Sequence, residues 1–188
     1  MLSGLSLAIL LFYFALTLAY SIELKRVALL DILVLATLYT LRIVAGSAAI
    51  AVLPSVWLLG FSMFLFTSLA FIKRYAELVI MRGIEGDHAT ARGYLLSDAE
   101  LLASKGTASG YAAVLVLALY LASGTVKTLY SRHQLIWLVC PLLLYWLGHL
   151  WLIAHRGKMY HDPLVFALCD HTSRILILLM LGIVLLAI

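Results

Sequence analysis

Charge is scarce in this 188-residue chain: Asp, Glu, Lys and Arg together make up 12% of it, against about 25% in an ordinary soluble domain. Proline and cysteine are also few, three and two residues. Little charge combined with 65% apolar residues and a mean hydropathy of +1.10 excludes a water-soluble globular domain, because so short a chain cannot bury that much apolar side chain within itself. Disorder is excluded on the same ground. Cys140 and Cys169 both lie in apolar runs and make neither a disulfide framework nor a metal motif. There is no Walker loop, no dinucleotide glycine fingerprint and no Ser–His–Asp order, and no internal repeat or low-complexity segment. His149, His155, His161 and His171 share no helical face, which argues against zinc.

What is present is hydrocarbon in long runs. Spanning ~30 Å of bilayer core takes about 20 apolar residues in a helix. Such runs lie near Leu2–Tyr20, Ala28–Leu53, Val56–Ile72, Tyr111–Thr125, Leu135–Ile153 and Ser173–Ile188. The first lacks a basic leader and a small-residue cleavage site, so it reads as a retained span and not a signal peptide. Pro54 beside Ser55 turns the second and third runs into a tight hairpin. The expected fold is all-α: a polytopic transmembrane bundle of about six helices, in one domain over residues 1–188.

The excess of four basic residues over acidic ones bears on topology and anionic ligands before nucleic acid, and no nucleic-acid partner is implied. Connections one, three and five carry Lys25, Arg26, Lys73, Arg74, Arg82, Arg92, Lys105, Arg156 and Lys158, whereas the even ones carry only Lys127 and Arg132. This imbalance predicts cytoplasmic odd connections and both termini outside, so that the polar, chemistry-bearing face is cytoplasmic. Glu23, Glu77, Glu85, Asp87, Asp98, Glu100 and Asp162 fall on that same face. The longest polar stretch, residues 73–109, is expected to be a cytoplasmic cap loop. Within it, Arg82 to Asp98 reads either as a short amphipathic helix suited to a lid or as a simple linker.

Charges in or beside spans are expensive and each needs a reason. Asp31 and Arg42 are eleven residues apart, within ~20° on one helical face but about 16 Å apart along the axis, too far to pair directly. Arg42 would sit near mid-membrane, either bonded to neighbouring carbonyls or as a cation for an anionic ligand deep in a cleft. It should face a cavity and not lipid. Tyr20, Lys25 and Arg26 close the first span, as an interfacial anchor would. Lys73 and Arg74 can pair with Glu77 at i,i+4 and i,i+3, leaving one cation in excess. Such a cluster is able to hold a phosphate, with Arg as the bidentate fork, or simply to solvate a helix. Asp162 and Asp170 near the basic clusters suit Mg²⁺, although Asp170 and Arg174 also have the spacing of an intrahelical salt bridge.

The blocks Tyr20-Ser21 through Leu24-Lys25-Arg26, Leu30-Asp31, Leu41-Arg42-Ile43-Val44-Ala45-Gly46 and Lys73-Arg74-Tyr75-Ala76-Glu77-Leu78, followed more weakly by Tyr94, Asp162-Pro163 and Asp170, resemble the UbiA family of intramembrane prenyltransferases. The branch most similar is that of decaprenyl-phosphate phosphoribosyltransferase. The resemblance runs over essentially the whole chain. It implies helices four to nine of a nine-helix fold around a central cavity, and a transferase acting on a polyprenyl (phosphate) lipid with Mg²⁺-diphosphate chemistry. Tyr20, Lys25, Arg26, Arg42, Lys73, Arg74 and Glu77 would bind substrate or diphosphate, and Asp162 and Asp170 would be metal ligands. The family's first aspartate-rich motif, Asn-Asp-x-x-Asp-x-x-x-Asp, does not occur in this sequence. The resemblance therefore implies the C-terminal two-thirds of a transferase: half of a split protein with a separate N-terminal partner supplying three helices, or a truncated, non-catalytic subunit. A small transporter lined by Asp31 and Arg42 is the reading from a different class.

Overall fold

The computed structural model describes residues 4–85, 90–91, 93–124, 126, 130–160 and 162–188. Each apolar run becomes a helix, since a backbone in hydrocarbon satisfies its own polar groups only that way. The elements are α1 (Gly4–Ile22), α2 (Leu30–Ala49), α3 (Val56–Glu85), α4 (Ala99–Ala122), α5 (His133–Ile136), α6 (Val139–His155), α7 (Pro163–Cys169) and α8 (His171–Ala187). The all-α fold is as expected. Its only strands among the described residues are β1 (Thr90–Ala91) and β2 (Tyr94–Leu95), a two-residue antiparallel pair.

Four stretches are long and apolar enough to cross a bilayer: Leu30–Ala49, Val56–Arg82, Leu96–Ala122 and His133–His155. A fifth is reached if α7 and α8, bent by 85° at Asp170, count as one span. The expected first span is a shorter apolar helix over its described side chains, Leu7–Ile22. The count over the described residues is thus four or five by length against the six expected, and the last run is broken at Asp170. These helices make the chain a membrane protein.

The expected polar connection 73–109 is much shorter than its composition indicates. Helix α3 continues to Glu85 and α4 starts at Ala99, so Lys73, Arg74 and Lys105 are helical. The described part between them is the strand pair and a 3-10 turn at Leu96–Asp98, not an amphipathic helix. Expectations placed on Leu2, Asp87, Arg92, Thr125, Lys127 and His161 lie outside the described residues. So does the side chain of Glu85.

Packing centres on α3. One face of α4 presents Gly106 and Gly110, and the small-xxx-small spacing lets α3 and α6 come close. A Cβ added at Gly106 would lie 2.3 Å from the Trp151 ring and 2.6 Å from the Phe71 Cβ. Ser68 on α3 donates a 2.7 Å hydrogen bond to the Gly106 carbonyl, seating α3 on α4. Leu69, Ile72, Val114, Leu147 and Leu150 fill the core between α3, α4 and α6. Helices α1 and α2 lie outside it: none of residues 7–22 is buried, and α2 buries chiefly its first turns, at Asp31 and Ile32.

The α1–α2 corner is held from above. It passes through a 3-10 turn at Leu24–Arg26 and then Leu29, which has φ +65°, a conformation unfavourable for a branched side chain. Gly93, at φ +82°, lies against this corner, where a Cβ would be 2.9 Å from the Arg26 carbonyl oxygen. Only glycine fits both the dihedral and the approach. The next residue, Tyr94, then reaches the Leu29 N–H, which donates to its hydroxyl at 2.6 Å.

Candidate functional site

The polar end of the bundle is organised by Arg74. It is 1% exposed on α3, and Asp31 at the start of α2 is fully buried. Arg74 Nε donates to Asp31 Oδ2, Nη1 donates to both Glu77 carboxylate oxygens at 2.7 Å, and Nη2 donates to the Tyr20 hydroxyl at 2.9 Å. The second Asp31 oxygen accepts from Tyr94 at 2.6 Å. Helices α1, α2 and α3 and the Tyr94 loop are therefore tied together through one guanidinium. A planar five-donor group can do this and an ammonium cannot. Burial, then the hydrogen bond to Asp31, raises the Tyr94 phenol well above its ordinary range.

This arrangement corrects part of the sequence expectation. Arg74 does pair with Glu77, but it also pairs with Asp31, which pattern alone set on the same face as Arg42. Lys73 does not pair with Glu77; its Nζ lies 2.5 Å from Asp162 Oδ2, both side chains about a quarter exposed. The excess cation foreseen in this cluster is thus absent: Arg74 has two carboxylates and Lys73 has one. With its three nitrogens committed and almost no exposed surface, Arg74 acts as a brace and not as an open phosphate fork. Lys25 and Arg26 lie on the turn at the same end of the bundle, and their side chains make no ion pair with carboxylates among the described residues. The bonds of Lys73 and Arg74 go to Asp162 and to Asp31, Glu77 and Tyr20.

Asp162 and Asp170 sit at the two ends of α7. Asp162 Oδ1 caps α7 by accepting from the Leu164 N–H at 3.1 Å. Asp170 caps α8 through the Ser173 N–H at 2.7 Å and lies 3.0 Å from His149 Nε2. The expected Asp170–Arg174 side-chain bridge is replaced by the His149 pair, because capping turns the carboxylate toward the helix start. The eight-position separation of the two carboxylates amounts to about 12 Å of helical rise, whereas Mg²⁺ takes oxygen ligands at 2.0–2.1 Å. They do not fit one shared ion, and no group of three His, Cys, Asp or Glu able to hold a metal occurs among the described residues.

Arg42 stands apart. It lies twelve residues from the start of α2 and seven from its end, roughly 18 and 10 Å of rise. It is exposed, and its Nε donates to the hydroxyl of Tyr13 at 3.0 Å. Tyr13 is the central residue of α1. The guanidinium carbon lies 5.7 Å from the Tyr13 ring centre and 5.0 Å from that of Tyr39. Tyr39 stacks on Phe66 of α3 at 5.2 Å. Arg42 has no carboxylate partner among the described residues. Sequence reading missed Tyr13, Tyr39 and His149. The i,i+7 spacing of Tyr13 to Tyr20, which puts both hydroxyls on one face of α1, was the available signal.

No family model matches the chain. It is 45% identical over 164 residues to y4nM, an uncharacterized protein of Sinorhizobium fredii. It is 37% identical over 173 residues to the nodulation protein NoeC of Azorhizobium caulinodans. These matches take in 86% and 92% of this chain but only 31% and 56% of the relatives, so the chain spans about a third of one and just over half of the other.

Proposed function

We propose that the chain is the membrane module of a UbiA-type transferase that binds a polyprenyl phosphate lipid with its phosphate end at the cytoplasmic face. The observation that carries this reading is the convergence of Tyr20, Asp31, Arg74, Glu77 and Tyr94 on one buried network at one end of an apolar bundle, with the Lys25–Arg26 turn directly above it. That geometry gives a rigid frame below and, at the rim, cations with no ion pair among the described residues. The rim cations receive the phosphate through charge-assisted hydrogen bonds, while the prenyl chain lies along the apolar helices. Topology follows from the basic connections: the α1–α2 turn, the α3–α4 connection and the end of α6 are cytoplasmic. The membrane is a bacterial inner membrane, and by the second relative's name the biological setting is nodulation.

A second reading is favoured by a specific observation. Asp31, Glu77, Asp162 and Asp170 are each already engaged by a cation, a histidine or a helix end, so none of these four is free to hold a metal diphosphate. The chain is then one half of a split transferase, or a non-catalytic subunit, that positions the lipid while another polypeptide supplies the acidic residues and three helices. The relatives' greater length is in keeping with this.

The test is binding of farnesyl phosphate to the full chain in phosphatidylcholine nanodiscs, with the Lys25→Gln/Arg26→Gln pair alongside. The expected result is saturable binding that weakens about tenfold in the pair, the scale of one or two charge-assisted bonds. Absence of binding to the unaltered chain would refute the reading. Activity that appears only on adding the missing portion of a longer relative would select the split form.

A further inference from the structure

The Arg74 network ties α3 to α1 and α2. On the side of α3 turned to α4 and α6 there is instead a cavity of about 390 Å³. It is walled by Leu78, Ala103 and the pair Tyr75 and His155, and Arg82 and Glu100 stand exposed at its edge. The Tyr75 hydroxyl and His155 Nδ1 lie 2.8 Å apart, which leaves Nε2 with no partner among the described residues. Glu100, in the first turn of α4, makes no ion pair among the described residues. Arg82 ends one candidate span, Leu96 begins the next, and His155 ends a third. The cavity therefore sits at the boundary of the hydrocarbon, at the level of lipid headgroups.

Below it the seam between α4 and α6 continues as a slot of about 130 Å³, where Thr107, Gly110 and Tyr111 face Leu147, Gly148 and Trp151. Glu100, Ala103, Thr107 and Tyr111 recur every three or four residues and so form one stripe of α4; His155, Trp151 and Gly148 do the same on α6. Trp151 joins the two spaces, packed edge-on against Tyr75 at 5.6 Å. Thr107 donates its hydroxyl back to the Ala103 carbonyl at 2.8 Å, which leaves the slot apolar. A Cβ added at Gly148 would meet nothing within 4 Å, so the slot is open there. From Glu100 to Tyr111 the stripe rises about 16 Å, close to half of the ~30 Å hydrocarbon core and thus to one leaflet.

We propose that this α4–α6 seam binds one phospholipid whose headgroup carries a phosphodiester and a primary ammonium, as phosphatidylethanolamine does. The site is separate from that of the polyprenyl phosphate and does not rest on the transferase reading. Both signs of charge at the cavity edge select the headgroup. Glu100 accepts from the ammonium, and Arg82 donates to the phosphodiester through charge-assisted hydrogen bonds. With His155 Nδ1 accepting from Tyr75, Nε2 carries the ring proton and donates to the same phosphodiester. One acyl chain lies in the slot past Trp151 and Gly148. A choline headgroup has no N–H for Glu100, and an anionic glycerol headgroup has no cation for it.

The test is native mass spectrometry of the full chain released from detergent, titrated in turn with palmitoyl-oleoyl phosphatidylethanolamine, phosphatidylcholine and phosphatidylglycerol. One phosphatidylethanolamine should be retained saturably, with an affinity about tenfold above that of phosphatidylcholine, the scale of one charge-assisted hydrogen bond. Glu100→Gln should bring phosphatidylethanolamine down to the phosphatidylcholine level. Arg82→Gln should weaken all three lipids several-fold, since they share the phosphodiester. Gly148→Leu, which fills the slot, should weaken all three and keep their order. Equal retention of the three lipids, a preference for phosphatidylglycerol, or an unchanged ethanolamine-to-choline ratio in Glu100→Gln would overturn the proposal. So would displacement of the retained phosphatidylethanolamine by farnesyl phosphate, which would make the two lipid sites one. Should Gly148→Leu fail to fold, Glu100→Gln, at an exposed position, decides alone.

Discussion

Arg74 and Arg42 are two guanidiniums on α3 and α2 with opposite surroundings. Arg74 is buried, holds two carboxylates and a phenol, and joins three helices. Arg42 is exposed at mid-span with aromatic rings and one phenol for company. The difference teaches that charge near a membrane serves architecture where it is neutralised from several elements, and stays open where it is not. Sequence position gives no guide here, since the denser basic block holds the brace and the isolated arginine holds the open charge.

The comparison breaks most visibly at Asp31. Asp31→Ala leaves a buried guanidinium short of its fully buried carboxylate partner, a change worth about 3–5 kcal/mol in buried pairs. The expected outcome is a large loss of thermal stability in detergent. A double-mutant cycle with Arg74→Met should show strong coupling, and independent effects would contradict the brace. Next in size is Gly106→Ala, which forces a Cβ into Trp151 and Phe71 and should cost about 1–3 kcal/mol by overpacking. It should do so without altering phosphate binding, which separates bundle packing from either arginine.

Tyr94→Phe sharpens the contrast through pH. The buried phenol ionises at a higher pH in the folded chain than in the unfolded one, where it ionises near 10. Its contribution is therefore complete below about pH 10 and is lost as pH rises through the folded value. The unaltered chain should lose stability above about pH 10, and Tyr94→Phe should flatten part of that fall in alkaline unfolding measured by circular dichroism. The smallest effect belongs to Lys73→Ala. Its bridge to Asp162 is partly exposed, so about 0–1 kcal/mol is expected by chemical denaturation.

Most of the helical architecture was legible because hydrophobic run length and the Pro54 turn are local signals, and each run became a helix. The polar cap was misjudged because composition marks where charge lies and not where a helix stops: α3 continues three turns beyond Lys73, as the Arg74–Glu77 spacing permits. Asp31 was correctly singled out as expensive, but its partner is 43 residues away in sequence, and no periodicity encodes a contact between helices. The same holds for Lys73 with Asp162 and His149 with Asp170. Tyr94 entered only through a weak resemblance, although the glycine before it makes the docking of its loop possible.

The division of labour between the two arginines is tested most directly by thermal unfolding of Arg74→Gln and Arg42→Gln, side by side in the same detergent. The account predicts a large drop in the midpoint for Arg74→Gln, which strands Asp31, and a midpoint close to that of the unaltered chain for Arg42→Gln. Equal losses, or a larger loss for Arg42→Gln, would contradict it.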